Sequence, residues 1–587
     1  MQRLRSGGRD DAGAVAVLVA ILFPVLFAMA AFAVDVARWY LEGEKVQKAA
    51  DAAALAGVIY MPQDFATAKS IALGAATRNG YTAGGNVTIE VKQGPRPSQL
   101  QVTISNVVTN NFAFLIGQPT TVVGRTAIAD YTGPAPMGSP CWSFGNEPDA
   151  LAQARPANCP RTPNSTYGSF WATIHGPEVD KTQGDQFMTR PCAGGESGCT
   201  GPSNAEFDPN GYFWAVHVDD PSKVSNINLQ LFDPAYVKTG FYCDNGSLPA
   251  ATAYKATGMN DFDGGNPRVR YAPGTQNDPT DYCPGDGDYS NSATTPTTTT
   301  FVLRSPIDSQ NPLQAPVIGQ CSKQFYGWND PGSLATILDK SKTPAATSIT
   351  DRAHYQDLIA QSFHRWYTLC TIPGPLQKGD YYLQVRTNVP YGAAQASWSA
   401  QGDNTNEKGE GANRFAIRAQ VTGDASTVSV GSLQHMPIFA NDPALSSAKF
   451  NLIRVVPGAA GKTIKFTFFD VGDAAGNGTA TVTVLAPGEA TGTGITASKG
   501  LTGCTGVNWT STSENLGTCS KGGISSSTWN GKSYTIFVPI PSDYQCGFST
   551  LSGCWFQVQV AFPTGTLLTD ATTWSATITG DPVRLVK

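Results

Sequence analysis

From Ala14 to Val34 the chain reads AVAVLVAILFPVLFAMAAFAV, 21 positions without a charge. At about 1.5 Å per residue, a helix of that length spans roughly the 30 Å hydrocarbon core of a bilayer. Pro24 falls within the run, and a membrane helix tolerates it where neighbouring groups satisfy the freed carbonyl. The pattern predicts a transmembrane helix over 14–34 behind a short tail, 1–13. The rival is a cleaved signal peptide, because Arg3, Arg5 and Arg9 form a basic n-region and Ala31-Phe32-Ala33 offers an A-x-A site. Yet the run exceeds the about 7–15 residues of an h-region. The helical pattern also continues directly into WYLEGEKVQKAADAAALAG, so the anchor is expected to be retained.

Beyond the run, Val46, Ala50, Ala53 and Gly57 recur on one helical face, with no proline from Asp35 to Ile59. A face of small residues packs closely, either on partner anchors or on the protein's own following sheet. A second helix from about Asp64 to Arg78 follows. The alternating runs VTIEVK (87–92), LQVTIS (100–105) and TVVGRTAIAD (121–130), with NFAFLIG as a short helical turn, complete a small α+β unit over 35–132. The cluster GPAPMGSP then opens an irregular Cys-containing linker region, 133–204.

Period-two runs return after it: YFWAVHVDD, SNINLQLFDPAYV, TTTTFVLRS, GDYYLQVRTN and NRFAIRAQVT, then FNLIRVV, KTIKFTFFDVGD, TATVTVLAP, KSYTIFVPIP, CWFQVQVAF and WSATITG. The two sets run in parallel, with Asp233 and Asp470 at equivalent strand ends and GDYYLQVRTN matching GCWFQVQVAF. They predict tandem β-sandwiches, 205–429 with insertions and 430–587. The expected fold is therefore mainly β: a transmembrane helix and a small α+β unit, then the two sandwiches.

Composition agrees with that picture. Charged residues are 14% of the 587, while Gly (61) and Pro (40) are plentiful, as in turn-rich β structure and unlike the roughly 25% charge of ordinary soluble domains. A net charge of -5 without a basic block argues against a nucleic-acid partner. All 12 cysteines follow residue 140, an even count without CxxC spacing, which points to disulfides in an oxidising compartment. Proximity suggests Cys192 with Cys199, Cys504 with Cys519 and Cys546 with Cys554. Further pairings are Cys141 with Cys159, Cys243 with Cys283 and Cys321 with Cys370. Arg3, Arg5 and Arg9 are nearly matched by Arg38, Lys45 and Lys48 across the apolar run, so the cysteines decide orientation: tail in the cytoplasm, bulk extracytoplasmic.

Little catalytic chemistry is legible. The five histidines show no paired-ligand spacing, and His354 and His364 flank a stretch without a directly adjacent acidic base. Gly458 to Thr463 has too few residues between its glycines for a phosphate loop and leads into a strand. No GxSxG elbow occurs, and an enzyme is not expected. A hydrolase would need a partner carboxylate for Asp233 or Asp470. Two acidic loops offer oxygen ligands for Ca²⁺: Asp470, Asp473 and Asn477, and Asp281, Asp286 and Asp288. The alternative is solvated carboxylates and Asx-turns. No other cofactor is implied. Trp328, Trp366, Trp398 and Trp529 could stack on sugars or fill the sandwich cores.

The stretch from Asp11 to Gly57 resembles the N-terminal domain of TadE/TadG-like proteins of the Flp (tight adherence) pilus-assembly system. The resemblance rests on Gly13 entering the apolar run, Asp35 closing it, Arg38-Trp39-Tyr40 just after, and Asp51, Leu55 and Gly57 in the following ADAAALAG. It implies a membrane-anchored, non-catalytic extracytoplasmic component of pilus assembly or adherence, with other envelope proteins, cell wall or surface glycan as partners. Pseudopilin members carry an acidic residue at the fifth position after the processing Gly. Here Gly13 is followed by Ala14, Val15, Ala16, Val17 and Leu18, which speaks against prepilin-type cleavage. The sandwiches lie outside the resemblance, and a surface adhesin or carbohydrate-binding protein is the alternative.

Overall fold

The computed structural model describes residues 11–587 apart from 62–64, 96–98, 132–136, 149–169, 244–281, 290–294, 308–311, 330–357, 360, 404–405, 443–446, 474–477, 548–550, 552, 564–567, 579–582 and 586–587. Two units divide the chain: Met1–Gly133 with Gly580–Lys587, and Pro134–Thr579.

In the first unit, α1 (Asp11–Val58) runs unbroken through Pro24. Its side chains from Ala16 through Ala30 are exposed. From Val46 onward α1 packs on α2 (Phe65–Arg78) and on a sheet of β1 (Val87–Gln93), β2 (Gln99–Thr109) and β3 (Thr120–Tyr131). The buried set is mostly alanine: Ala49, Ala50, Ala53 and Ala54 of α1 meet Ala68, Ala72, Ala75 and Ala76 of α2 beside Leu100, Val102 and Ile104. Small side chains let the two helix backbones approach closely. Gly57 marks the tightest point, where a Cβ would lie 2.5 Å from the Ala68 carbonyl oxygen and 2.6 Å from Leu100. The small-residue face of α1 is thus used inside its own unit.

The sheet's fourth strand comes from the chain's far end. Val583–Leu585 pairs antiparallel with β3, Val583 opposite Tyr131 and Leu585 opposite Ala129. The second unit is consequently an insertion: the chain leaves the first sheet after Tyr131 and rejoins it at Val583.

The second unit holds two sandwiches. Strands of the first half are β4 (Phe170–His175), β5 (Tyr212–Val218), β6 (Val224–Phe232), β7 (Thr299–Arg304), β8 (Val317–Phe325), β9 (Trp366–Pro373), β10 (Gly379–Arg386), β11 (Gly411–Gly423) and β12 (Val428–Ser432). The second half has β13 (His435–Asp442), β14 (Ser447–Arg454), β15 (Thr463–Phe469), β16 (Ala480–Leu485), β17 (Thr502–Val507), β18 (Ser513–Thr518), β19 (Ser520–Ile524), β20 (Ser533–Pro539), β21 (Trp555–Ala561) and β22 (Leu568–Ile578).

One twelve-stranded sheet runs through both halves in the order β9-β6-β11-β4-β13-β22-β15-β20-β17-β18, with two short strands pairing off β11. A five-stranded sheet, β8-β7-β10-β5-β12, and a four-stranded one, β14-β21-β16-β19, complete the two sandwiches. The halves mirror each other: β9-β6-β11 corresponds to β20-β15-β22. Each half would end in an open edge, at β11 and at β22, and unpaired edges invite association. β4 pairs with β11, β13 pairs with β22, and β4 pairs with β13, so both edges are closed. The stretch 133–204, read from sequence as an irregular linker region, supplies β4 at this junction.

The expected parallel between Asp233 and Asp470 holds in detail. Both directly follow a strand, β6 and β15, and both take a left-handed backbone, with φ of 50° and 62°. Asp233 N–H donates to the Arg365 carbonyl and Asp470 N–H to that of Lys532, one residue before β9 and β20 respectively. Disulfides join Cys192–Cys199, Cys243–Cys283, Cys321–Cys370, Cys504–Cys519 and Cys546–Cys554. Cys159, the expected partner of Cys141, lies outside the described residues.

Candidate functional site at the base of the first unit

Asp35 is the first acidic residue after the apolar run, and it is fully buried. Its two carboxylate oxygens accept three backbone N–H bonds: from Asn111 at 2.9 Å, Phe112 at 2.8 Å and Ala113 at 2.7 Å. These amides open the short 3-10 turn Ala113–Ile116, whose own N-cap residue, Phe112, has no side-chain oxygen to offer. Asp35 therefore caps that turn from another element, satisfying donors that would otherwise be orphaned. Burial would raise its pKa, but the three N–H bonds and the nearby Arg38 charge outweigh that, and the carboxyl is held below the ordinary range.

Neighbouring positions on α1 continue the clamp. Arg38 Nη1 donates to Asn111 Oδ1 at 3.0 Å and Trp39 Nε1 donates to Asn110 Oδ1 at 2.8 Å. Asn110 in turn donates to the Gln118 carbonyl and the Thr121 hydroxyl, closing the loop between β2 and β3 on itself. One turn further along α1, Glu42 accepts from Tyr81 at 2.8 Å and Asn106 at 2.7 Å. The Phe32 ring meets Trp39 edge-on at 5.7 Å. Residues 35, 38, 39 and 42 share one helical face, which 46, 50, 53 and 57 continue as an apolar one.

Of the other motif residues, Tyr40 is exposed, Asp51 accepts from Gln47 at 2.7 Å, and Leu55 is half-buried against the alanine core. Gly13 lies in the first turn of α1. Asn110, Asn111 and Glu42 carry no distinguishing mark in the sequence beyond a turn-like Asn pair after a strand. Their role depends on where β2 runs relative to α1.

The proposed cation ligands fall in the second unit. Asp470 is buried and accepts from Gly531 N–H, while its Oδ2 has no hydrogen-bond partner among the described residues. Asp570, at the start of β22, accepts from Gly472 N–H at 3.0 Å and leaves its Oδ1 equally bare. Burial and the proximity of Asp473 push both carboxyls well above the usual range, and burial lifts Asp473 to about 6. Asp570 was not legible as a neighbour of this turn. Asn477 lies outside the described residues.

In the other acidic loop, Asp286 accepts from the backbone of Val237 and Arg414, both at 2.8 Å, and Asp288 pairs with Lys238 at 2.6 Å. Asp281 lies outside the described residues. Asp233 accepts from His364 N–H at 3.1 Å and lies 3.7 Å from its Nε2, with both side chains buried. His354 lies outside the described residues. Trp366 and Trp529 are buried, Trp398 is half-buried with Nε1 donating to the Ala393 carbonyl, and Trp328 packs partly buried on the core.

Fold and clamp define a small α+β unit carried on a long apolar helix and interrupted by a large disulfide-bonded β insertion. Among the described residues, the segment Ala16–Val58 is the one helix long and apolar enough to cross a membrane. Residues 13–68 match the family model described as Flp pilus-assembly TadE/G-like. The match begins at Gly13 and takes in Asp35, Arg38 and Trp39. No curated protein and no solved structure matches the chain.

Proposed function

We propose that this protein is a single-pass, membrane-anchored, non-catalytic component of Flp/Tad pilus assembly or tight adherence. Residues 1–13 lie on the cytoplasmic side, α1 crosses the bilayer, and both compact units stand outside. One observation carries the reading: the TadE/G-like match falls on Asp35, Arg38 and Trp39, and these residues fasten the folded unit to the end of the apolar run. Five disulfides among the described residues of the second unit support an oxidising compartment. Other envelope proteins are the partners of this reading.

Fractionation of cells expressing the full chain tests it. Intact protein is expected in membranes, and protease added outside spheroplasts should remove the second unit while leaving an α1-containing fragment. Soluble full-length protein, or complete protection from external protease, overturns the topology. Loss of pili and surface adherence on deleting the gene tests the assembly role separately.

A further inference from the structure

The loop between β2 and β3 carries a cluster of apolar side chains that the unit leaves uncovered. Phe112 is 40% exposed, Phe114 52%, Leu115 73% and Ile116 71%, with Val122 of β3 at 65%. Four of these five fall within five consecutive residues, far from the singly scattered exposure that needs no explanation. The position of the cluster relative to α1 names its occupant.

β2 runs antiparallel to α1, and its neighbours record the descent. Leu100 lies beside Gly57, Asn106 bonds to Glu42, Asn110 to Trp39 and Asn111 to Asp35. The tip, residues 112–116, is thus the part of the sheet nearest the apolar run, level with the residue that ends it. Around it stand side chains suited to the edge of a bilayer. Tyr40 is exposed, Arg38 is exposed with its guanidinium held by Asn111, and Trp39 turns its ring to Phe32. Aromatic and basic residues of this kind gather where hydrocarbon gives way to headgroups.

We propose that residues 112–116 insert into the outer interfacial layer of the same bilayer that α1 spans, giving the unit a second membrane contact. The inference rests on the proposed topology. It explains why Asp35 is buried under three backbone N–H groups: the clamp fixes the tip at the depth where lipid covers it. An amphipathic element that lies in the interface plane, beside a spanning helix, also fixes the tilt of the unit on the membrane.

The test uses the full chain in nanodiscs of phosphatidylethanolamine and phosphatidylglycerol, without other proteins. The described cysteines are all in disulfides, so an introduced thiol can be labelled with an environment-sensitive fluorophore. Leu115→Cys and Ile116→Cys report the tip, Phe23→Cys reports the middle of the apolar run, and Lys92→Cys reports the opposite end of the sheet. Blue-shifted emission, loss of iodide quenching and quenching by shallowly spin-labelled lipid are expected at 115 and 116, with 92 open to iodide. If 23 is shielded while 115 and 116 quench like 92, the inference fails and the topology stands. If 23 is also open to iodide, the topology itself fails. Shielding of the tip only after envelope extract is added would mark a protein contact and overturn the lipid assignment.

Discussion

Asp35 shows how one side chain can be read in two ways. Its place after 21 uncharged residues made it a boundary; in the fold it caps a turn 76 residues away in sequence. Replacement by Ala removes the acceptors for three amides, so hydrogen exchange at Asn111, Phe112 and Ala113 should accelerate, with Asn at the position giving partial rescue. Because the folded pKa is depressed, the stabilisation is complete above the unfolded value of about 3.9 and is lost as pH falls through the lower folded value. Protection of these amides, corrected for intrinsic exchange, should therefore hold from pH 8 to pH 5. Gly57 allows a second test. Val is the better helix former, so any loss from Gly57→Val reports the close approach to Ala68 and not propensity. Overpacking of this kind costs about 1–3 kcal/mol, readable as a lower denaturation midpoint of the first unit.

At the scale of elements, the sandwiches depend on links between sheets. Cys321 on β8 and Cys370 on β9 join the five-stranded sheet to the edge of the long one. Replacing both with Ser should destabilise the second unit by about 2–5 kcal/mol, seen as an earlier chemical unfolding transition. The turn after β15 predicts a pH effect of the opposite sign to Asp35. Asp470, Asp473 and Asp570 have raised folded pKa values, so they take up protons on folding, and stability falls as pH rises from about 4 through those values. In EDTA, the second unit should melt at a lower temperature at pH 8 than at pH 5, and Asp470→Asn should flatten the dependence. Ca²⁺ at this turn, one of the two readings its acidic residues allow, would show as a melting temperature at pH 8 that rises with Ca²⁺ in the parent protein and not in Asp470→Asn.

For the whole molecule, the decisive feature is that the chain's end completes its beginning. Val583–Leu585 covers β3, so ending the chain at residue 579 would leave that edge unpaired. In detergent micelles such a truncation is expected to form dimers or larger species by light scattering, whereas full-length protein in the same detergent at the same concentration does not. The arrangement also ties the large insertion to the first unit at both of its ends, so release of the second unit by external protease is expected to need cuts on both sides of it, after Tyr131 and before Val583.

Much of this protein was legible in its sequence because the signals are local. An uncharged run sets the length of a membrane helix, period-two alternation marks strands, and short cysteine spacings favour Cys192–Cys199, Cys504–Cys519 and Cys546–Cys554. The repeat at Asp233 and Asp470 was visible too, because equivalent strand ends keep equivalent residues. What sequence left undecided were choices between partners distant along the chain. Whether Val46, Ala50, Ala53 and Gly57 face another anchor or their own unit depends on where α2 and β2 lie. Trp366 fills a core from β9 and Trp529 from the helical turn Ser526–Trp529 ahead of β20, and β4 became a junction strand because two open edges needed closing. The C-terminal strand returns to β3 through backbone hydrogen bonds, which any residue but proline can make, so no side-chain pattern announced it. The tertiary structure alone gave Asp35 its partners, since only the descent of β2 along α1 brings Asn111 to it.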